Sequence, residues 1–220
     1  MFAEMRSALG ISKSEDILDH VYSLPTPEQQ RAAMEAIRNI ERTAMTSQVA
    51  QPGLVRLMKY LDERGVRKGI CTRNFDAPVN NLLSKFLAGS VFAPIVTRDF
   101  RPPKPDPAGI LHIARSWGLV RRSTGEAGVP SAGEEGHRPA KGQDGAEHLV
   151  ETEAGEQVAD ASALIMVGDS IDDMTAGHRA GAKTVLLVND VNRHLADHEH
   201  TDATITRLDE LIDMLENGLL

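Results

Sequence analysis

The sequence predicts an α/β fold, a doubly wound parallel sheet, behind a helical N-terminal segment. Three observations predict it. Helical periodicity alone runs through residues 1–50 and on to Glu63. The period changes after Gly65, where short apolar runs begin. From there those runs alternate with amphipathic stretches, as βα units require when parallel strands are joined by crossover helices.

In order, a short amphipathic piece follows Ser14, and Thr26-Pro27-Glu28 opens a long helix to about Ala50. Pro27 suits the first helical position and Glu28 the positive end of the helix dipole. Ile37, Ile40, Ala44 and Met45 give this helix one apolar face. Pro52-Gly53 breaks it and starts a helix from Leu54 to Glu63, ended by Gly65. Val66–Thr72 reads as a strand, Ala77–Leu87 as a helix and Val91–Thr97 as a strand. Asp106–Trp117 is a helix closed by Gly118. Ala163–Val167 and Thr184–Val188 are short apolar strands, separated by a helix from Ile171 to Ala180 that Gly181 ends. A weak strand, Ala203–Thr206, precedes a final helix, Leu208–Leu215.

Residues 121–161 do not fit this scheme. They are rich in Gly, Glu, Ser and Ala, with few large apolar residues and no periodic stretch. Such a composition buries too little surface to offset its ordering entropy, so a disordered acidic surface insertion is expected, a spacer on the plainest reading.

The 220 residues suit one domain, or a domain with a small lobe. With 41% hydrophobic residues a core is affordable, although aromatics supply only 4%. A net charge of -8 and the lack of a basic stripe argue against nucleic acid as the main partner. The lone Cys71 excludes an intramolecular disulfide framework and fits a reducing compartment. No apolar run approaches the roughly 20 residues that a membrane helix needs. Glu4 and Arg6 sit where a signal peptide would need an apolar core. A cytoplasmic protein with no membrane partner is expected; the oligomeric state is not specified.

In doubly wound sheets the ligand lies beyond the carboxyl ends of the strands. Three such ends carry polar groups here. One delivers Thr72, Arg73 and Asn74, the next leads into TRDFRPPKPDP with Lys104, and the third gives Gly168-Asp169-Ser170 followed by Asp172 and Asp173. A hydroxyl, an ammonium and a carboxylate cluster on one rim can hold a phosphate and a divalent cation. Mg²⁺ favours carboxylate, water and phosphate oxygens, which Asp169 and Asp173 would help supply. Each member has a plainer reading. Ser170 or Asp172 can simply cap the next helix, Thr72 suits any strand, and Lys104 can be a solvated loop lysine. Cys71 reads as a small buried hydrophobe, and the histidines between 194 and 200 as part of a solvated segment. The ordered set is more specific than its members.

That order resembles the haloacid dehalogenase-like (HAD) hydrolase superfamily, across the chain except residues 121–161. GICTRN is similar to the family motif whose Ser or Thr binds the transferring phosphoryl group. RPPKPDP is similar to the motif whose Lys neutralises the nucleophile and phosphoryl charge. VGDSIDDMTAGHRAG is similar to the metal motif, with Asp169 and Asp173 at its two acidic places and Asp172 at the variable one. The closest resemblance is to the phosphoglycolate-phosphatase-like branch. It implies a small helical cap at residues 1–50 on an α/β body at 51–220, with Thr72 and Lys104 catalytic. Thr72, Arg73, Asn74 and Lys104 would bind substrate, Asp169 and Asp173 would bind Mg²⁺, and a small phosphorylated metabolite would be the partner.

The family also has a strand ending in Asp-x-Asp, whose first Asp attacks phosphorus. No Asp-x-Asp occurs before Thr72. The family places that strand upstream of the cap and centrally in the sheet, between the strands carrying Thr72 and Asp169. A shortened N-terminus, without nucleophile or central strand, is therefore the expectation. Two functions stay open: Mg²⁺-dependent phosphomonoester hydrolysis through an aspartyl-phosphate, or an inactive remnant that binds or interacts. A phosphoacceptor receiver domain is set aside because its acidic pair comes first and its Lys last, the reverse of this order.

Overall fold

The computed structural model describes residues 1–122 and 157–218. The N-terminal segment forms three helices: α1 (Phe2–Leu9), α2 (Ile17–Ser23) and α3 (Pro27–Thr46). Asp16 caps α2 through Leu18 and Asp19 N–H, and Thr26 caps α3 with Pro27 directly behind it. Met5, Ile17, Val21 and Ile37 meet in a fully buried cluster, so this helical segment has its own small core. The long helix stops at Thr46, short of the expected Ala50.

The body follows as α4 (Leu54–Glu63), β1 (Ile70–Cys71), α5 (Asp76–Phe86), β2 (Ile95–Val96), α6 (Ala108–Ser116), β3 (Val120–Arg122), β4 (Gln157–Ala159), β5 (Ile165–Gly168), α7 (Ile171–Ala180), β6 (Lys183–Leu187), β7 (Ala203–Ile205) and α8 (Glu210–Asn217). β1 and β2 are parallel, and β5, β6 and β7 form a second parallel sheet in that order. Helices α4 and α8 pack on the second sheet around Leu57, Val185, Ile205 and Leu211. On another apolar cluster, Ile110 and Ala114 of α6 meet Ala176 of α7. This is the α/β fold with parallel strands that the alternation predicts.

Two local expectations change. The predicted strands Val66–Thr72 and Val91–Thr97 shrink to two residues each. Residues 121–161 are not uniformly outside the fold, because β3 and β4 pair antiparallel with Arg122 opposite Gln157. Behind that hairpin Ala161 is 1% exposed. Its flank, QVADASAL, carries just enough small apolar residues to pair and pack. The remainder of that expected insertion, 123–156, lies outside the described residues.

Among the described residues the two parallel sheets do not join. Ile70 and Thr72 donate to Pro94 and Val96 carbonyls, so strand alternation turns the peptide groups of Gly69 and Cys71 the other way. Lys183 N–H bonds to Leu164 C=O, which likewise turns Ile165 and Val167 away from β6. Among the described residues no backbone hydrogen bond crosses between these edges. Between them lies a cavity of about 430 Å³ lined by Leu57, Ile70, Cys71, Trp117, Ile165 and Val167. The fold is split where the family resemblance places a central strand.

Candidate active site

Gly168 ends β5 and lets the next helix come close. A Cβ there would lie 2.4 Å from the Asp173 Cβ, so only glycine admits this approach. Ser170 then caps α7, accepting from Asp173 N–H, while Asp173 Oδ2 accepts from Ser170 N–H at 3.1 Å. The pair is a capping box, reciprocal by construction. Asp173 Oδ2 also accepts from Asp169 N–H at 3.1 Å and Ser170 Oγ at 2.8 Å. The capping reading of Ser170 thus holds, and it coexists with a charged site.

Lys104 supplies that charge. Its Nζ donates to Cys71 O at 2.6 Å and to Asp173 Oδ1. The side chains of Lys104 and Asp173 are both 9% exposed. Losing one partner of so buried a pair costs on the order of 3–5 kcal/mol. Lys104 is therefore no solvated loop lysine: it ties the end of β1 to the start of α7. Thr72 is the next residue, and its Oγ1 accepts from Asn74 N–H at 3.1 Å. Thr72, Lys104 and the acidic cluster are brought together on one rim.

Asp169 stands at that rim, and among the described residues no other residue donates a hydrogen bond to its carboxylate. Burial, then the charge of Asp173, push its carboxyl up from the usual carboxylate range, while Lys104 pulls it down. A divalent cation would relieve this strain, and hard carboxylate oxygens suit Mg²⁺. Asp169 fits a direct ligand. Asp173 already accepts on both oxygens, so it fits better as the group that orients Asp169 through its N–H. Among the described residues no group of three metal-ligating side chains converges, leaving the remaining coordination to water and phosphate oxygens.

Arg73 is placed differently from a free substrate contact. Its guanidinium bonds Asp172 Oδ2 on one side and Asp16 Oδ2 on the other, at 3.0 Å. It thereby links the acidic cluster to the helical segment. The Asn74 carbonyl accepts from Arg98 N–H at 3.0 Å, joining the loops after β1 and β2. Cys71 sits against Gly109 of α6, and burial pushes its thiol up, so it serves as a packed hydrophobe.

Several residues carry no spacing signal in sequence. Asn192 is 4% exposed and donates to Asp169 O at 2.8 Å and Leu187 O at 2.9 Å, fixing the Asp169 loop. Arg98, 4% exposed, stacks on Phe75. The segment with His198 and His200 is not simply solvated: His200 bonds Thr175 Oγ1 at 3.0 Å and stacks on His178.

A family model described as HAD-hydrolase-like matches residues 145–214. The chain is 37% identical over 222 residues to the uncharacterized hydrolase YOR131C of Saccharomyces cerevisiae, covering 99% of this chain and 84% of that one. It is 28% identical over 173 residues to the haloacid dehalogenase-like hydrolase domain-containing protein At2g33255 of Arabidopsis thaliana, or 78% of this chain and 53% of that protein. Among solved structures, a hydrolase from Pseudomonas syringae superposes with a TM-score of 0.61 at 19% identity, over 98% of this chain and 88% of that one. A predicted phosphoglycolate phosphatase from Haemophilus somnus gives a TM-score of 0.61 at 13% identity, over 96% and 82%. The fold is shared with these structures, and with the yeast relative matching 99% of its length, the chain belongs to the HAD-like hydrolase superfamily.

Proposed function

We propose that this chain carries the phosphate- and metal-binding half of a phosphomonoester hydrolase. The observation that carries the reading is the Lys104 bridge, which sets Thr72, Lys104, Asp169 and Asp173 on one rim. The substrate class is a small phosphorylated metabolite, in a reducing cytoplasmic setting that suits the lone thiol. Mg²⁺ bound at Asp169 would supply a charge for the phosphate oxygens. The chain's own residues do the rest. Lys104 lends positive charge to the developing phosphoryl negative charge, and the Thr72 hydroxyl donates to one equatorial oxygen. Asn192 and Asp173 hold the Asp169 loop in place through its backbone.

Turnover through an aspartyl-phosphate needs a carboxylate in line with phosphorus. No Asp-x-Asp occurs in these 220 residues, so the chain by itself is expected to bind phosphate without hydrolysing esters. The cavity between β1 and β5 is where a nucleophile-bearing strand would fit. A second reading, a HAD-fold protein that binds without turnover, is favoured by the engagement of both Asp173 oxygens. A Mg²⁺-supplemented assay on a phosphomonoester panel tests the absence of a nucleophile, which both readings share. The expected result is no turnover by this chain. Rates in the ordinary range of about 1–1000 per second, abolished in Asp169→Ala, would overturn the missing-nucleophile view.

A further inference from the structure

Glu41 of α3 and Arg98 after β2 are 3% and 4% exposed, yet Glu41 Oε1 and Arg98 Nη1 find no hydrogen-bond partner among the described residues. Asn74 Oδ1 is a third such atom, on the loop after β1. Buried polar atoms in folded proteins are nearly always satisfied, because each orphan forfeits its hydration without return. Three orphans on one seam therefore call for a missing group.

They do share one seam. Arg98 N–H bonds the Asn74 carbonyl at 3.0 Å. The guanidinium of Arg98 lies 5.2 Å from the Phe75 ring centroid, and that of Arg38 of α3 lies 5.8 Å from it. Phe75 packs against the small core of the helical segment, and Glu41 feels the charges of Arg98 and Arg38. Glu41 thus belongs to the helical segment, whereas Asn74 and Arg98 belong to the body. The seam also abuts the phosphate-binding rim, since Asn74 N–H bonds Thr72 Oγ1 at 3.1 Å.

The orphans also differ in kind: Nη1 is a donor, and Oε1 and Oδ1 are acceptors. A hydroxyl answers both at once, accepting from an arginine and donating to a carboxylate or amide oxygen. We propose that Glu41, Arg98 and Asn74 form the specificity site for the non-reacting end of the substrate and select a phosphomonoester bearing hydroxyl groups over an apolar one. This rests on the phosphate reading of the rim above.

Because the chain is not expected to hydrolyse esters, binding can be read at equilibrium. Titrate it in Mg²⁺ with glycerol 1-phosphate, with propyl phosphate and with inorganic phosphate. One hydroxyl well paired in a buried site is worth about tenfold or more in affinity, so glycerol 1-phosphate should bind at least about tenfold tighter than propyl phosphate. Glu41→Met removes an acceptor at similar volume, and Arg98→Lys shortens the donor. Each should bring the ratio to within about twofold. Inorganic phosphate should still bind Glu41→Met as it binds the parent, so a lost preference there is not lost folding. Equal binding of the two esters, or a preference that survives Glu41→Met, overturns the seam site. Absence of inorganic phosphate binding overturns the phosphate reading instead.

Discussion

At the scale of residues, Asp169 shows how a site can oppose the fold that builds it. Its carboxyl is raised by burial and by Asp173, so it titrates higher in the folded than in the unfolded chain. A raised acid leaves stability intact below the unfolded value and erodes it as pH rises through the folded value. At neutral pH without a cation, ionised Asp169 is a cost. Asp169→Asn is therefore expected to stabilise the metal-free protein slightly, by no more than about 0.5 kcal/mol, because solvent at the rim screens the charge of its partly covered carboxylate. The same change should abolish Mg²⁺-induced stabilisation. Urea midpoints with and without Mg²⁺ check both signs, and a loss of stability in the metal-free variant would contradict the electrostatic account. Asp169 and Asp173 were legible from GDSIDD because a strand, a glycine and crowded carboxylates stand together in sequence. Arg98 and Asn192 were not, since their partners lie on other elements.

Elements were most legible where local chemistry ends them. α4 and α7 run over the residues predicted, because Gly53 opens one and Gly181, in a left-handed conformation, closes the other. Strands were less legible. Val66–Gly69 holds one large apolar residue beside Arg67 and Lys68, and one edge of this stretch has no paired neighbour among the described residues, so the strand shortens to Ile70–Cys71. Arg122 and Gln157 are direct cross-strand partners, so their backbones already lie at hairpin distance. Replacing residues 123–156 with a four-residue Gly/Ser turn should not lower thermal stability, because loop closure at about 0.6 kcal/mol per doubling of length favours the shorter loop by about 2 kcal/mol. A melt lowered by many degrees would show that this segment supports the body.

For the molecule as a whole, the split between β1 and β5 dominates. Gly69, Ile165 and Val167 turn peptide groups toward an apolar cavity instead of a neighbouring strand, while the Cys71 carbonyl is taken by Lys104. Each buried unsatisfied group costs on the order of 1–3 kcal/mol, and a domain's whole margin is about 5–15 kcal/mol. Fusing a short apolar strand ending in Asp-x-Asp ahead of Met1 should fill the cavity and pair both edges. The expected result is a higher urea midpoint by several kcal/mol, together with Mg²⁺-dependent phosphatase activity. Equal midpoints would refute the pairing argument, whereas a more stable but inert fusion would favour the binding reading.

The order of helices and strands, the helical N-terminal segment and the Thr72, Lys104, Asp169 and Asp173 set followed from sequence, because periodicity, capping residues and glycine stops act over a few neighbours. Tertiary structure alone decided that Lys104 is a buried bridge, with Asp173 69 residues away. It alone set Arg73 against Asp16, 57 residues away, and gathered Glu41, Asn74 and Arg98 on one seam. Side chains so far apart in the chain meet only through the packing of whole elements, and burial, which fixes their charge and hydrogen-bonding demands, exists only once that packing is complete.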